Sequence, residues 1–342
     1  MKGEVGLQSR LLSRTLQFIL VLSFLFILCL VPFIISSFWL RIITGVFMWI
    51  GLALSWNMIG GYMGYISFGH GAFFGIGAYI AGLLISNFNL SFFPAMLVAG
   101  LLTFLFAILI GYPTLRLSGA YFAIGTWAFA EMMRQLVLVL DVTGGPYGLR
   151  LPAFLNEPFF YFLMFGFAVL VFLFSYLVFE KSYFGLKVKA VREEETAAQS
   201  LGLNTAWIKV LVFALSALFP GMIGAAYAYW ITYIHPDSVL GPLIADQMVI
   251  MVLLGGIGTV LGPIIGAIVL YVGNRILWVA WGDSSVYLVI LGLAICLVIL
   301  FLPEGLISLV RFKKFRLGGR CFRRSILAGE ITQNEARTQG GS

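Results

Sequence analysis

Hydrophobic positions along this chain collect into long unbroken runs, and most charged positions fall in the connections between them. A helix needs about 20 mostly apolar residues to cross a bilayer. Runs near that length occupy 16–35, 42–59, 66–85, 93–112, 119–140, 159–179, 208–233, 243–257, 262–281 and 286–309. The run at 243–257 is short for a crossing and carries Asp246 and Gln247. It is predicted to be tilted, broken or re-entrant, which leaves a count of about 8–10 spans. The runs lack the strict alternation of barrel strands. Helices are the other way to satisfy backbone groups in lipid. The predicted fold is therefore all-α, a polytopic transmembrane helical bundle.

Composition agrees with that pattern. The chain is 61% hydrophobic and 10% charged over 342 residues, with a mean hydropathy of +1.03. No soluble interior of this size hides so much apolar surface. The first run follows Lys2, Arg10 and Arg14, as in a signal peptide. It is longer than a typical signal core and no small-x-small cleavage site follows, so it reads as a retained span.

Charge sets the orientation. With the N-terminus in the cytoplasm and ten crossings, seventeen of the 21 lysines and arginines lie on the cytoplasmic side, as the positive-inside rule requires. The exceptions are Arg41, Arg134, Arg150 and Arg275. Both termini are expected in the cytoplasm, with the chain in an inner membrane. A transmembrane domain covers 1–310, with a polar inside loop near 180–207, and a basic, then polar, tail covers 311–342. The basic tail is explained by orientation and by contact with anionic membrane lipids, so no nucleic-acid partner is expected. Cys29, Cys296 and Cys321 have neither metal nor disulfide spacing, and His70 and His235 are far apart. No metal site and no catalytic residue is expected.

Within the inside loop, 192–201 is good helix material. It is acidic near its start, at Glu193, Glu194 and Glu195, and stopped by Gly202. Such a helix is either a docking element or a solvated connector. Glycines mark helix packing: Gly71 and Gly75 form a small-xxx-small pair, and Gly258, Gly262 and Gly266 repeat at four-residue spacing. Gly255, Gly256 and Gly258, followed by Pro263, disfavour one continuous helix. Broken helices at membrane depth face protein or water and often lie near transport pathways.

Polar residues inside spans are costly and mark pathways by default. The pathway candidates are Asn57, His70, Glu131, Arg134, Asp246 and Gln247, with Asn274 and Arg275 of the same kind. Glu131 and Arg134 are three apart and can neutralise each other. Asp246 and Gln247 fall near the outer end of their run, where an interfacial role suffices. His70 either bonds between helices or lines a pathway.

Several of these segments resemble the permease subunits of branched-chain amino acid ABC importers. The run AAQSLG, from Ala197 and Ala198 to Gly202, is similar to the cytoplasmic docking loop of ABC importer permeases. It departs from the general motif at Thr196, which stands in place of glutamate, with Glu195 one residue early. The longer run AVREEETAA at 190–198 is closer to the branched-chain branch. So are GYISFGHGAFFGIGAY at 64–79, TLRLSGAYFAI at 114–124, TGGPYGL at 143–149, LLGGIGTVLGP at 253–263 and LPEGL at 302–306. They occur in family order, and the pattern is nearer the LivM-type than the LivH-type subunit.

The resemblance implies a subunit that moves branched-chain or related amino acids by alternating access. It implies ATPase coupling through Arg192, Glu193, Glu194, Glu195, Ala197, Ala198 and Gly202. The implied partners are a homologous permease subunit, two cytoplasmic ABC ATPases and an extracytoplasmic substrate-binding protein. The chain has no phosphate-loop motif, so ATP-Mg is expected on the partner, with no cofactor on this chain and no enzymatic activity of its own. The alternatives are a related importer for urea, amides or sugars, a secondary transporter or channel for small polar solutes, and an intramembrane enzyme. The last would need a paired set such as His-Glu or Ser-Lys, which is not spaced for here.

Overall fold

Eight helices among the described residues are long and apolar enough to cross a membrane. The computed structural model describes residues 28–281, positions 289, 292, 293, 296 and 300, and residues 305–308. Most of the runs 16–35 and 286–309, and all of 311–342 with Cys321, lie outside these residues. In chain order the helices are α1 (Ser37–Asn57), α2 (His70–Phe88), α3 (Phe92–Thr114), α4 (Ala120–Val139) and α5 (Glu157–Ser175). They continue with α6 (Tyr183–Glu193), α7 (Glu195–Ser200), α8 (Thr205–Ile231), α9 (Pro236–Val239), α10 (Pro242–Gly255) and α11 (Gly262–Trp281). A π-helical turn extends α1 over Met58–Met63 and another extends α5 over Tyr176–Lys181.

The spans are nested. α1, α2 and α8 are buried along most of their length, while α3, α4, α5 and α11 keep broad exposed faces. Helix α3 shows why. Apart from Met96 its buried residues are small: Ala95, Ala99, Gly100, Thr103, Ala107 and Gly111. Its leucines 97, 101, 105 and 109 are exposed. A lipid solvent offers no gain for burying leucine against protein, so small residues take the helix contact and large ones face outward. A close crossing of two buried spans joins α2 to α8. A methyl group on Gly77 would run into the backbone of Gly221, and one on Gly224 into the Phe74 carbonyl.

Two predicted elements change on folding. The run at 66–85 becomes a helix only from His70, because Gly64 turns left-handed (φ 83°) and the chain folds back as loop 64–69. As a result α2 begins beside Ser216, near the middle of α8. The run at 243–257 falls on α10, and a short helix, α9, precedes it with a break at Leu240–Gly241. The loop at 141–158 folds as short turns and a two-residue strand, β1 (Leu149–Arg150). It pairs antiparallel with β2 (Tyr233–Ile234), Leu149 opposite Ile234. Tyr233 donates from its hydroxyl to the Tyr147 carbonyl (3.0 Å), closing this end of the bundle.

Candidate functional site

The loop at 180–207 holds two helices rather than one. The predicted stretch 192–201 breaks at Glu194, whose backbone is extended (φ −154°, ψ 105°). Ser182 caps α6 by accepting from the amides of Phe184 and Gly185. Gly202 ends α7 with φ +82°. The pair projects at one end of the bundle with a mixed outer face. Tyr183, Leu186 and Leu201 are 85%, 63% and 81% exposed, alongside exposed Glu193, Glu194 and Ala197. Large apolar groups this open are what a contact surface needs.

The other candidates in the loop face the bundle. Ala198 is buried. Glu195 pairs with Lys209 of α8 (2.5 Å) and accepts from the Thr205 hydroxyl (3.0 Å). Lys209 is itself almost fully buried and lies over the Tyr65 ring, 5.2 Å from its centroid. Glu180 accepts from the Tyr62 hydroxyl (3.1 Å) and pairs with Lys189 of α6 (3.2 Å). The projecting pair is thus clamped to α8 by α7 and to the π-turn of α1 by α6.

Arg192, though exposed overall, makes a further link. Its Nη1 donates to the Gly61 carbonyl (2.5 Å) in that π-turn. The arginine runs through a slot lined by Gly61, Gly64 and Gly258. A side chain on Gly64 or Gly258 would press on it, and both glycines have positive φ (83° and 72°). Gly258 belongs to the loop between α10 and α11. Asn57, fully buried, ties that loop to α1: its Nδ2 donates to the Thr259 carbonyl (2.9 Å), and its Oδ1 accepts from the Gly258 amide (3.0 Å). One arginine, one asparagine and three glycines therefore join the projecting helices to the break between α10 and α11.

Glycines also let that break close up. A methyl group on Gly255 would strike the Gly262 carbonyl, one on Gly262 the Gly256 carbonyl, and one on Gly266 the Met251 carbonyl. Gly256 (φ 128°) turns the chain out of α10. Gly305 packs on Gly255 and Gly256, and the Leu306 amide donates to the Leu254 carbonyl (2.8 Å). Gly71 sits against Ala245 of α10, and Gly75 against Leu240.

The polar residues of the spans do not converge on one site. His70 is fully buried, with Nδ1 3.0 Å from the Ser67 hydroxyl and Nε2 3.0 Å from the Ser216 hydroxyl. Ser216 spends its only proton on the Phe213 carbonyl (2.8 Å), so it accepts from Nε2–H, and Ser67 donates to Nδ1. That neutral tautomer has both ring nitrogens occupied and staples α2 to α8. His70→Leu is expected to leave two buried hydroxyls short of a partner and to destabilise the chain by about 1–3 kcal/mol. Thermal melting in detergent checks this: an unchanged midpoint would contradict it.

Arg134 grips Glu131 with two nitrogens (2.6 and 3.0 Å) and Asp237, at the α9 start, with a third (2.5 Å). The cluster is a structural tie between α4 and α9. The sequence position of Asp246 and Gln247 suggests the outer end of their span. Ala245, beside them, packs on Gly71 in the first turn of α2. Asp246 borders a hollow with Phe68, Ala123, Ile124 and Trp127, and Gln247 borders a separate one. Among the described residues, no group of three His, Cys, Asp or Glu side chains could hold a metal ion.

Comparison with known proteins bears on what this arrangement does. Residues 38–300 match the family described as branched-chain amino acid transport system / permease component. The chain is 31% identical over 312 residues to the high-affinity branched-chain amino acid transport system permease protein LivM of Escherichia coli K12, covering 82% of this chain and 72% of the relative. It is 30% identical over 331 residues to the protein of that name from Salmonella typhimurium LT2, covering 87% and 77%. No solved structure matches the chain significantly.

Proposed function

The chain belongs to the branched-chain amino acid transport system permease family, and on that footing we propose that it is the membrane-spanning subunit of an ATP-driven importer of branched-chain or related amino acids. It resides in the inner membrane as a multi-pass protein. ATP-Mg binds and is hydrolysed on two cytoplasmic ATPase subunits, a homologous permease completes the membrane core, and an external binding protein delivers substrate. The observation that carries this reading is the α6–α7 pair: open outward with apolar groups among its charges, and pinned inward to the broken span through Arg192, Gly61, Asn57 and Gly258.

Such an element converts motion of a docked partner into motion of the bundle. When the ATPases close, they carry α6–α7 with them. Arg192 and Glu195 pass that displacement to α1 and α8, the two most buried spans. The α10–α11 junction, where glycines hold backbone on backbone, can shift without unpacking large side chains. A two-state bundle biased in this way exposes its pathway to each side in turn.

The test uses the assembled importer in lipid vesicles with saturating binding protein. Wild type is expected to take up L-leucine only with ATP. Leu186→Glu with Leu201→Glu is expected to lose the ATPase subunits on purification and to lose uptake. Leucine entry without ATP, unaffected by those two changes, would overturn the reading in favour of a channel or secondary transporter.

A further inference from the structure

Two polar span residues, Asn274 and Arg275 of α11, take no part in the coupling described above. They border a cavity of about 440 Å³ lined by α1, α2, α8, α10 and α11, toward the end of α8 remote from α6–α7. That volume is in the range of small-molecule sites. Its base is aromatic and buried, formed by Trp49 and Phe74. Tyr227 and Trp230 wall one side, and Trp278 stands exposed at the rim.

Arg275 also stands at the rim. Its guanidinium lies over the ring of Tyr271, 5.5 Å from the centroid. That ring is fixed in turn, because its hydroxyl end occupies the space a side chain on Gly45 would need. A guanidinium held by a π face rather than by a carboxylate keeps its forked N–H donors for another anion. Arg275 has no ion-pair partner among the described residues. Gln247 and Asn274 add side-chain carbonyls, which accept from an ammonium, and the indole faces attract the same cation.

From this arrangement we infer that the hollow is a transit site for an α-amino acid with an apolar side chain. Arg275 holds the carboxylate, Gln247 and Asn274 face the ammonium, and Trp49, Tyr227 and Trp230 receive the side chain. The inference rests on the importer reading for its physiological meaning, but the site is testable alone. The same chemistry, an anion on an apolar body, is offered by an acidic phospholipid.

The experiment is a tryptophan-emission titration of the full chain, purified in detergent, with L-leucine and with L-leucinamide, which lacks the carboxylate. Wild type is expected to give a saturable change with L-leucine and a much weaker one with L-leucinamide. Arg275→Gln is expected to bind L-leucine roughly tenfold more weakly, the loss of one charge-assisted contact, and to bind the two ligands alike. Arg275→Lys is expected to fall between, having the charge without the fork. Equal L-leucine binding by wild type and Arg275→Gln, or no saturable change in wild type, would overturn the site. So would a leucine response abolished by added phosphatidylglycerol but not by phosphatidylcholine, which would assign the hollow to an acidic lipid. A chain that binds L-leucine here but does not take it up with ATP would instead count against the importer reading.

Discussion

Leucine in place of Gly77 is expected to leave almost no folded protein. The added side chain would begin inside the backbone of Gly221, on a buried helix that cannot retreat, since Gly221 is itself held against Thr103 of α3. Ordinary overpacking of a core costs roughly 1–3 kcal/mol, because side chains yield. Here the obstacle is main chain on two of the three most buried spans, and yielding means separating α2 from α8. Gly166→Leu, with nothing within 4 Å of the added group, is the control and is expected to fold at wild-type yield. Recovery of monodisperse protein by size-exclusion chromatography distinguishes them. Equal recovery would mean that α2 and α8 are not in such close contact.

The second large effect is expected at Arg192. Removing its guanidinium deletes a charge-assisted bond to the Gly61 carbonyl, worth about 1.5–3 kcal/mol, and empties a slot built from three glycines. Arg192→Ala leaves the outer face of α6–α7 in place, since Tyr183, Leu186 and Leu201 make no use of it. The ATPase partner should therefore still bind while its motion reaches the α10–α11 junction poorly. Uptake is expected to fall about tenfold or more, as a coupling energy of that size implies. Arg192→Lys should retain part of the uptake, because an ammonium can reach one carbonyl.

Much of the fold is legible in the sequence because lipid imposes a simple code. Long apolar runs had to be helices, and their edges came within a few residues wherever the chain left the bundle directly, as at α3, α4, α5 and α8. Where it folded back instead, hydropathy gave no warning at loop 64–69, and before α10 it gave only a run too short for a full crossing. Both segments are apolar or glycine-rich, and only the packing on Ser216 and Gly71 shows their depth. The α2–α8 crossing was likewise hidden, since Gly77 and Gly221 sit among many other glycines with no spacing to set them apart.

The candidate site was half visible. The helix-forming loop and the acidic run pointed to α6–α7, but a single sequence does not say which residues face in. Arg192, Glu195 and Ala198 turned toward the bundle. The outward face includes Leu186 and Leu201, which the docking-loop motif does not emphasise. A signal was present: Tyr183, Leu186 and Ala190 recur at helical spacing within an otherwise charged stretch, the pattern of an amphipathic face. Among the polar residues of the spans, Asn57 is the one carried into the coupling network, through partners some 200 residues away that no local pattern reveals.

The most direct test of the coupling account measures ATP hydrolysis and L-leucine uptake together, in vesicles holding the assembled importer with either wild-type chain or Arg192→Ala. The account predicts that the variant retains its ATPase subunits and hydrolyses many more ATP molecules for each leucine delivered. A variant whose ratio of hydrolysis to uptake matches wild type would contradict it, and would place the transmission of motion elsewhere than the Arg192–Gly61–Gly258 junction.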